Sequence, residues 1–190
     1  MKKETPEALM ERYAAGDAEA FGALYEALAP RVYAYLCRSL FDRDLAAEVL
    51  QDTFLRLHRV RTRYAVGPRV LPWVLTIAGN LRRDLQRRRR RRKESPTEPS
   101  LLETAPAPEA QTPDADLAAS LLAAVRALPP GQRDVILLHK YEGLPFEEVA
   151  RVTGSTVGAA KLRAFRGYET LRKVLGGRLR AEHGPKGGGS

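Results

Sequence analysis

The residues best suited to chemistry in this chain are basic, and they are concentrated in two segments. One segment is the arginine-rich run 82–93, and the other carries the Lys and Arg residues between 161 and 173. Guanidinium and ammonium groups bind phosphate, and near the start of a helix they suit guanine O6 and N7 in the major groove. Together with a formal net charge of +9, this clustering favours nucleic acid as a partner.

No catalytic constellation is visible in the sequence. His58, His139 and His183 have no metal-ligand spacing to one another or to Cys37, the one cysteine,. A phosphate-cradling GxxxxGK loop is missing, and the acidic residues lie on helix faces without a nucleophile nearby,. The sequence therefore predicts a protein that is not an enzyme and that uses no metal or other cofactor.

Neither the N-terminal segment nor any later stretch reads as a membrane or export signal. Two N-terminal lysines are followed at once by acids rather than by an apolar region,. No apolar run approaches the roughly 20 residues that span a bilayer. A lone Cys37 suits a reducing compartment. We therefore expect a soluble, cytoplasmic protein with no membrane insertion of its own.

Helical periodicity runs through residues 1–93, the predicted first domain. Thr5 followed by Pro6 signals the first helix start, and Pro30 predicts a kink or break in the second helix. The third helix is amphipathic, with Asp42 or Asp44 as its N-cap, and the fourth ends in the arginine run,. This pattern predicts four to five helices and no sheet.

The chain changes character over residues 94–116, which are rich in Pro, Ala, Ser and Thr, carry several acids and contain no Lys or Arg. Such a composition predicts a flexible linker. It is either a solvated tether or an acidic segment that folds back on the arginines or enters a basic channel of a partner. Residues 117–175 form the predicted second domain, and residues 176–190 a disordered, Gly-rich tail.

The second domain has a helix-turn-helix pattern. A short helix starts at Pro145 and closes at Gly154, and a long basic helix follows,. Side chains near the start of such a helix reach base edges in duplex DNA. The predicted contacts are Ser155, Thr156, Gly158, Ala159, Lys161, Arg163 and Arg166.

Aromatic and amide side chains stand beside the first basic run. Tyr64 and Trp73 with neighbouring arginines could form a stacking platform for single-stranded bases, although Trp73 also suits a partly buried core position. Asn80, in mid-helix, is a poor helix former unless its amide is used, so base recognition is predicted for it.

Taken together, these motifs resemble an extracytoplasmic-function sigma factor of the sigma-70 family. AAEVLQDTFLRLHR is similar to the family's AEDLVQETFLRLWR-type segment, and PWVLTIAGNLRRDLQRRRR is similar to its WLxxIAxNxxxDxxRR helix. ALPPGQRDVILLHKYEGLPFEEVARVTGSTVGAAKLRAFR is similar to the family's C-terminal helix-turn-helix. The three segments occur in the family's order, across an acidic linker.

The resemblance implies a region 2-like domain and a region 4-like domain that bind core RNA polymerase and promoter DNA and direct transcription initiation. The helix 45–59 would dock on polymerase through Glu48, Gln51, Asp52, Phe54 and Leu55. The −10 element would be captured as a single strand by Tyr64, Trp73, Asn80, Arg82, Arg83 and Arg87. The helix-turn-helix contacts would read the −35 element, and an anti-sigma factor would be a further partner.

Departures from the family pattern affect local contacts. Ala47 replaces a usual acid and weakens one docking contact, while Gly79 costs about 1 kcal/mol of helix propensity relative to alanine. Ala160 and Gly167 are smaller than the usual residues, so loose packing of the last helix is expected. The rival hypotheses are a stand-alone helix-turn-helix regulator, a nonspecific nucleic-acid binder and an enzyme acting on nucleic acid.

Overall fold

A computed structural model describes residues 4–65, 67, 69–94 and 113–182, and these residues form helices without a β-strand. The first domain contains helices α1 to α4, which span Pro6–Ala14, Ala20–Leu40, Arg43–Val60 and Val70–Glu94, with a 3-10 turn at Arg61–Arg63. The second domain contains helices α5 to α8, which span Pro113–Ala127, Pro130–Ile136, Phe146–Thr153 and Val157–Glu182, with a π-helical turn at Leu137–Tyr141. The predicted all-helical fold with two small domains is confirmed.

The ends of the second domain differ from the predicted limits. Helix α5 begins at Pro113, and α8 continues to Glu182, so residues 176–182 are helical where the sequence favours a disordered tail. Arg, Leu, Ala and Glu in residues 178–182 are good helix formers and outweigh the preceding glycines. Most of the predicted linker, residues 95–112, and the tail residues 183–190 lie outside the described residues.

Local capping explains where the helices of the first domain start. The Thr5 hydroxyl accepts a hydrogen bond from the backbone N–H of Ala8 at 3.3 Å. The Asp42 carboxylate accepts one from the N–H of Leu45 at 2.9 Å, so Asp42 rather than Asp44 is the cap of α3,. Each bond satisfies a donor that the first helical turn leaves unpaired.

Helix α2 passes through Pro30 without interruption, so of the predicted kink or break, the break is wrong. Proline removes one intrahelical hydrogen bond and usually kinks or ends a helix. Pro30 is exposed, whereas Leu28, Ala29 and Val32 beside it are buried in the core. Burial of the neighbouring turns therefore holds the helix together across the proline.

The core of the first domain lies where the apolar faces of α2, α3 and α4 meet. Leu24 and Leu36 of α2, Leu57 of α3, and Val74 and Leu75 of α4 are all fully buried. Burial of this kind contributes roughly 1.5–3 kcal/mol for each large aliphatic side chain. The core therefore fixes α3 and α4 relative to each other, and with them the residues predicted to bind polymerase and DNA.

The predicted helix-turn-helix is confirmed in the second domain. Gly154 ends α7 in the left-handed conformation, with φ 63°. Thr156 then accepts a hydrogen bond from the N–H of Ala159 at 3.2 Å and caps α8,. His139 packs on Phe146, with ring centroids 4.2 Å apart, and is part of the fold rather than of a site.

Helix α8 packs closely on α6 at Gly167, so the expectation of loose packing is wrong here. A Cβ added at Gly167 would lie 2.6 Å from Cδ1 of the buried Ile136. The missing side chain is what permits the approach.

Gly167→Ala should therefore lower the free energy of unfolding by about 0.5–2 kcal/mol, because the overpacking by the added methyl group, about 1–3 kcal/mol, outweighs the gain of about 0.5–1 kcal/mol in helix propensity. Gly22→Ala in α2 is the matched control, since its Cβ would meet no atom within 4 Å. It should raise stability by about 0.5–1 kcal/mol. Denaturant titration measures both variants, and a Gly167→Ala protein as stable as Gly22→Ala would contradict the close packing.

Candidate nucleic-acid interface

The first turns of α8 present a basic face to solvent. Ala160, Ala164 and Gly167 face the domain interior and are buried. Among the predicted contacts, the exposed ones are Thr156, Gly158, Lys161 and Arg166, and the half-buried ones are Ser155, Ala159 and Arg163. These residues lie along one accessible face at the helix-turn-helix, as reading a major groove requires.

Two apolar residues on the same face are absent from the sequence-based prediction. Leu162 is 48% exposed and Phe165 is 64% exposed. Leu162 lies one turn after Gly158, on the side of α8 opposite the buried Ala160 and Ala164,. In the sequence, Leu162 lies off the apolar stripe of α8, and this position is the signal that could have identified it as an exposed contact residue. Apolar side chains in a major groove contact thymine methyl groups.

Tyr64 and Trp73 form an aromatic pair where the chain enters α4, with ring centroids 5.4 Å apart. Tyr64 is 9% exposed, and Trp73 is half-buried against the core of the first domain. The structure thus agrees with a partly buried position for Trp73. Tyr64 therefore offers little surface to a stacking partner, and most of the accessible part of the pair belongs to Trp73.

Asn80 and Arg87 lie on the exposed side of α4, and Arg83 is half-buried between them. The Nη2 group of Arg83 donates to Asn80 Oδ1 at 2.6 Å and to the backbone oxygen of Val152 in α7 at 3.2 Å. The Asn80 amide nitrogen is thereby directed away from Arg83 and suits an external acceptor.

Arg82 has a different environment from the other arginines of α4. It is 1% exposed and forms an ion pair with Asp134 of α6 in the second domain. Burial raises the pKa of the Asp134 carboxyl, although the Arg82 guanidinium acts in the opposite direction. In this arrangement Arg82 is out of reach of DNA, so its predicted contact requires the two domains to separate.

A cationic cleft of about 710 Å³ lies between α3 and α4. Its arginines are Arg56, Arg59, Arg87 and Arg88, and Asn80 also lines it. Asp52 and Asp84 also line it, and Asp84 pairs with Arg87. The excess of guanidinium groups makes this cleft suitable for a phosphate backbone.

The predicted docking residues form one stripe on α3. Glu48, Gln51, Asp52 and Leu55 are exposed, and Leu55 is 49% exposed. Phe54 is buried instead, and its ring centroid lies 4.6 Å from that of Tyr25 on α2. Phe54 therefore supports the stripe from beneath, next to a cleft of about 770 Å³ between α1, α2 and α3.

Two family models match the chain. Sigma-70 region 2 matches residues 24–92, and Sigma-70 region 4 matches residues 118–171. The RNA polymerase sigma factor CarQ of Myxococcus xanthus is 42% identical over 169 residues, which cover 88% of this chain and 95% of CarQ. The ECF RNA polymerase sigma factor BldN of Streptomyces coelicolor is 36% identical over 170 residues, which cover 88% of this chain and 64% of BldN.

Solved structures share the fold. The sigma factor RpoE, in complex with the anti-sigma factor NepR from Bartonella quintana, matches with a TM-score of 0.70 and 22% identity, over 84% of this chain and 98% of RpoE. CnrH, in complex with the cytosolic domain of CnrY, matches with a TM-score of 0.68 and 22% identity, over 92% of this chain and 99% of CnrH. Among the described helices, none combines the length and apolarity needed to cross a bilayer.

Proposed function

The chain belongs to the sigma-70 family of RNA polymerase sigma factors, in its extracytoplasmic-function group, and we propose that it binds core RNA polymerase and directs promoter-specific transcription initiation. One observation carries this proposal. The region 2 and region 4 matches coincide with the two helical domains, residues 24–92 with α2–α4 and residues 118–171 with α5–α8. Co-elution of the chain with purified core polymerase is the first test.

Polymerase docking is assigned to the exposed stripe of α3. Acidic residues Asp52 and Glu48 lie one and two turns before an exposed apolar side chain, Leu55, on one helix face. An apolar contact rimmed by charges is the usual composition of a specific protein interface. Phe54 contributes from beneath by fixing the surface of α3 against α2.

Recognition of the −10 element is assigned to α4 and the segment before it. Asn80 offers an amide, Arg83 and Arg87 offer guanidinium groups, and the Tyr64–Trp73 pair lies where α4 begins. A promoter must be opened for initiation, and stacking on aromatic rings offsets part of the cost of unstacking bases. The cationic cleft beside Asn80 would hold the phosphate backbone of the captured strand.

Recognition of the −35 element is assigned to the exposed face of α8, with Leu162 added to the predicted residues. Leu162→Ala should weaken −35 duplex binding by about fourfold, which is the affinity lost when roughly one methyl group is no longer buried. Replacing thymine by uracil in the −35 element should weaken binding of the wild type equally.

The same uracil substitution should not affect Leu162→Ala, because the methyl group and its contact are removed together. Fluorescence anisotropy of holoenzyme on the four combinations of protein and duplex measures this coupling. Additive effects of the two changes would show that Leu162 does not contact a thymine methyl group.

An anti-sigma factor is proposed as a further partner, because the sigma factor RpoE was solved with the anti-sigma factor NepR. Such a protein would cover the α3 surface, residues 45–59, or insert between the two domains. Excess anti-sigma factor should then displace the chain from core polymerase. Unchanged polymerase binding would contradict this placement.

The stand-alone regulator is not favoured, because it leaves the exposed α3 stripe without a role. The family is one of transcription initiation factors, and we assign this chain no catalytic activity of its own. Its proposed place of action is the cell interior, where RNA polymerase transcribes.

A further inference from the structure

Helix α1 packs on the segment that leads into α4, although α1 lies outside the residues 24–92 that the Sigma-70 region 2 model matches. Leu9, Met10 and Tyr13 of α1 are buried in the core. Residues 61–69, which join α3 to α4, form the connector. An element that the family model does not include therefore lies directly against the connector.

One contact joins α1 to the first residue of α4. Glu7 Oε1 accepts a hydrogen bond from the backbone N–H of Val70 at 3.2 Å. This N–H is among those that the first turn of a helix leaves unpaired, and Val70 is fully buried, so water does not replace the carboxylate there,. A negative charge is also stabilised at the positive end of the helix dipole. Glu7 therefore caps α4 from another helix.

Contacts of Tyr13 hold the other end of the connector. The Tyr13 hydroxyl lies 2.5 Å from Nδ1 of His58, near the end of α3. Arg61, the first residue of the connector, has its guanidinium 5.7 Å from the Tyr13 ring and donates to the backbone oxygen of His58 at 2.7 Å. Helix α1 therefore fixes the connector both where it leaves α3 and where it enters α4.

Tyr64 lies between these two fixed ends of the connector. It is buried, and its ring pairs with that of Trp73. Burial raises the pKa of the Tyr64 hydroxyl, and the carboxylates of Glu7 and Glu11 raise it further, because they disfavour another negative charge nearby,. Two acids of α1 thus lie close to an aromatic side chain that is assigned to the −10 element.

We propose that Glu7 is a positioning residue for −10 recognition, because it caps α4 from α1 and so holds the connector in the arrangement that binds the captured strand. The proposal rests on the assignment of α4 and the connector to the −10 element. Without the cap, the connector and the first turn of α4 lose their fixed arrangement. Only the ordered fraction of molecules then binds, and the apparent affinity falls by that fraction. All of these contacts lie within the first domain, so they do not depend on how the two domains are arranged.

Two substitutions of Glu7 separate its hydrogen bond from its charge. Glu7→Gln removes the charge and keeps an oxygen acceptor at the same reach. Glu7→Asp keeps the charge in the first turn of α1, but its side chain is one methylene group shorter, which withdraws the acceptor from Val70,. Glu26→Gln on α2 is the matched control, since it removes one negative charge from an exposed position of the same domain.

Anisotropy of a labelled single strand that carries the −10 element of a mapped promoter measures binding by each holoenzyme. Glu7→Asp should bind the strand about fivefold more weakly than wild type, the fold-change that corresponds to loss of a typical helix cap. Glu7→Gln and Glu26→Gln should stay within about twofold of wild type. Core polymerase and a −35 duplex should be bound equally by all four proteins, because α3 and α8 are unchanged.

Other roles of Glu7 predict other results. If Glu7 acts through its charge alone, Glu7→Gln should bind the strand more tightly, because the carboxylate repels phosphate, and Glu7→Asp should bind it as wild type does. If Glu7 serves folding alone, Glu7→Asp should lose binding to core polymerase, the −35 duplex and the strand in the same proportion. Either result would overturn the positioning role.

The wild-type protein separates this inference from the proposed function. Strand binding by wild-type holoenzyme, with no difference between wild type and Glu7→Asp, would overturn the positioning role alone. Failure of wild-type holoenzyme to bind the strand would overturn the assignment of α4 and the connector to the −10 element, and the role of Glu7 with it.

Discussion

Reversing both acids of the α3 stripe, Glu48→Arg with Asp52→Arg, is expected to weaken binding to core RNA polymerase by at least about 100-fold. Both side chains are exposed, so the change leaves the core of the first domain intact. Placing like charges against the partner's complementary surface costs several kcal/mol. A 100-fold loss of affinity corresponds to about 2.7 kcal/mol, which is within that cost. Titration of labelled protein with core polymerase measures the loss.

Glu147→Arg on α7 is the control for this experiment, because it reverses an exposed acid on the other domain. Its affinity for core polymerase should stay within about twofold of wild type, as is usual for charges outside an interface. Far-ultraviolet circular dichroism should be the same for all three proteins. Wild-type affinity in the double variant would exclude the α3 stripe as the docking surface.

Asn80→Ala is expected to reduce transcription from a duplex promoter by roughly 5- to 150-fold, the worth of one good amide–base contact at about 1–3 kcal/mol. The change should not lower thermal stability, because Asn80 is exposed and alanine is the better helix former,. Loss of activity together with retained stability distinguishes recognition from misfolding. Single-round run-off transcription gives the activity.

Core polymerase and a −35 duplex should be bound by Asn80→Ala as by wild type, because α3 and α8 are unchanged. On a template that is already melted at −10, much of the defect should persist, since the lost contact is to the captured strand. Full activity of Asn80→Ala on both templates would remove Asn80 from the −10 site.

Local signals in the sequence were sufficient for much of the fold. The capping roles of Thr5 and Asp42, the turn at Gly154 and the cap at Thr156 depend on neighbours within four residues, so they can be recognised from sequence spacing,. The amphipathic pattern of α3 likewise predicts its exposed stripe. The roles assigned to Glu48 and Asp52 depend in addition on family resemblance.

The features that could not be predicted depend on contacts between distant parts of the chain. An arginine in a basic run is typical of a DNA contact. Arg82 instead pairs with Asp134, 52 residues later in the chain, and is buried between the two domains. From the sequence, Gly167 suggests loose packing. In the structure Ile136 packs closely against it, and this contact cannot be recognised from the sequence. Pro30 is tolerated because Leu28 and Ala29 before it and Val32 after it are buried in the core.

Run-off transcription with purified bacterial core polymerase on fragmented genomic DNA, with and without the protein, tests the central claim most directly. The account predicts discrete transcripts that require the protein and that disappear with Glu48→Arg and Asp52→Arg. Their start sites would share two upstream elements, at −10 and −35. Absence of protein-dependent transcripts, together with tight sequence-specific duplex binding by the protein alone, would contradict the account and favour a stand-alone regulator.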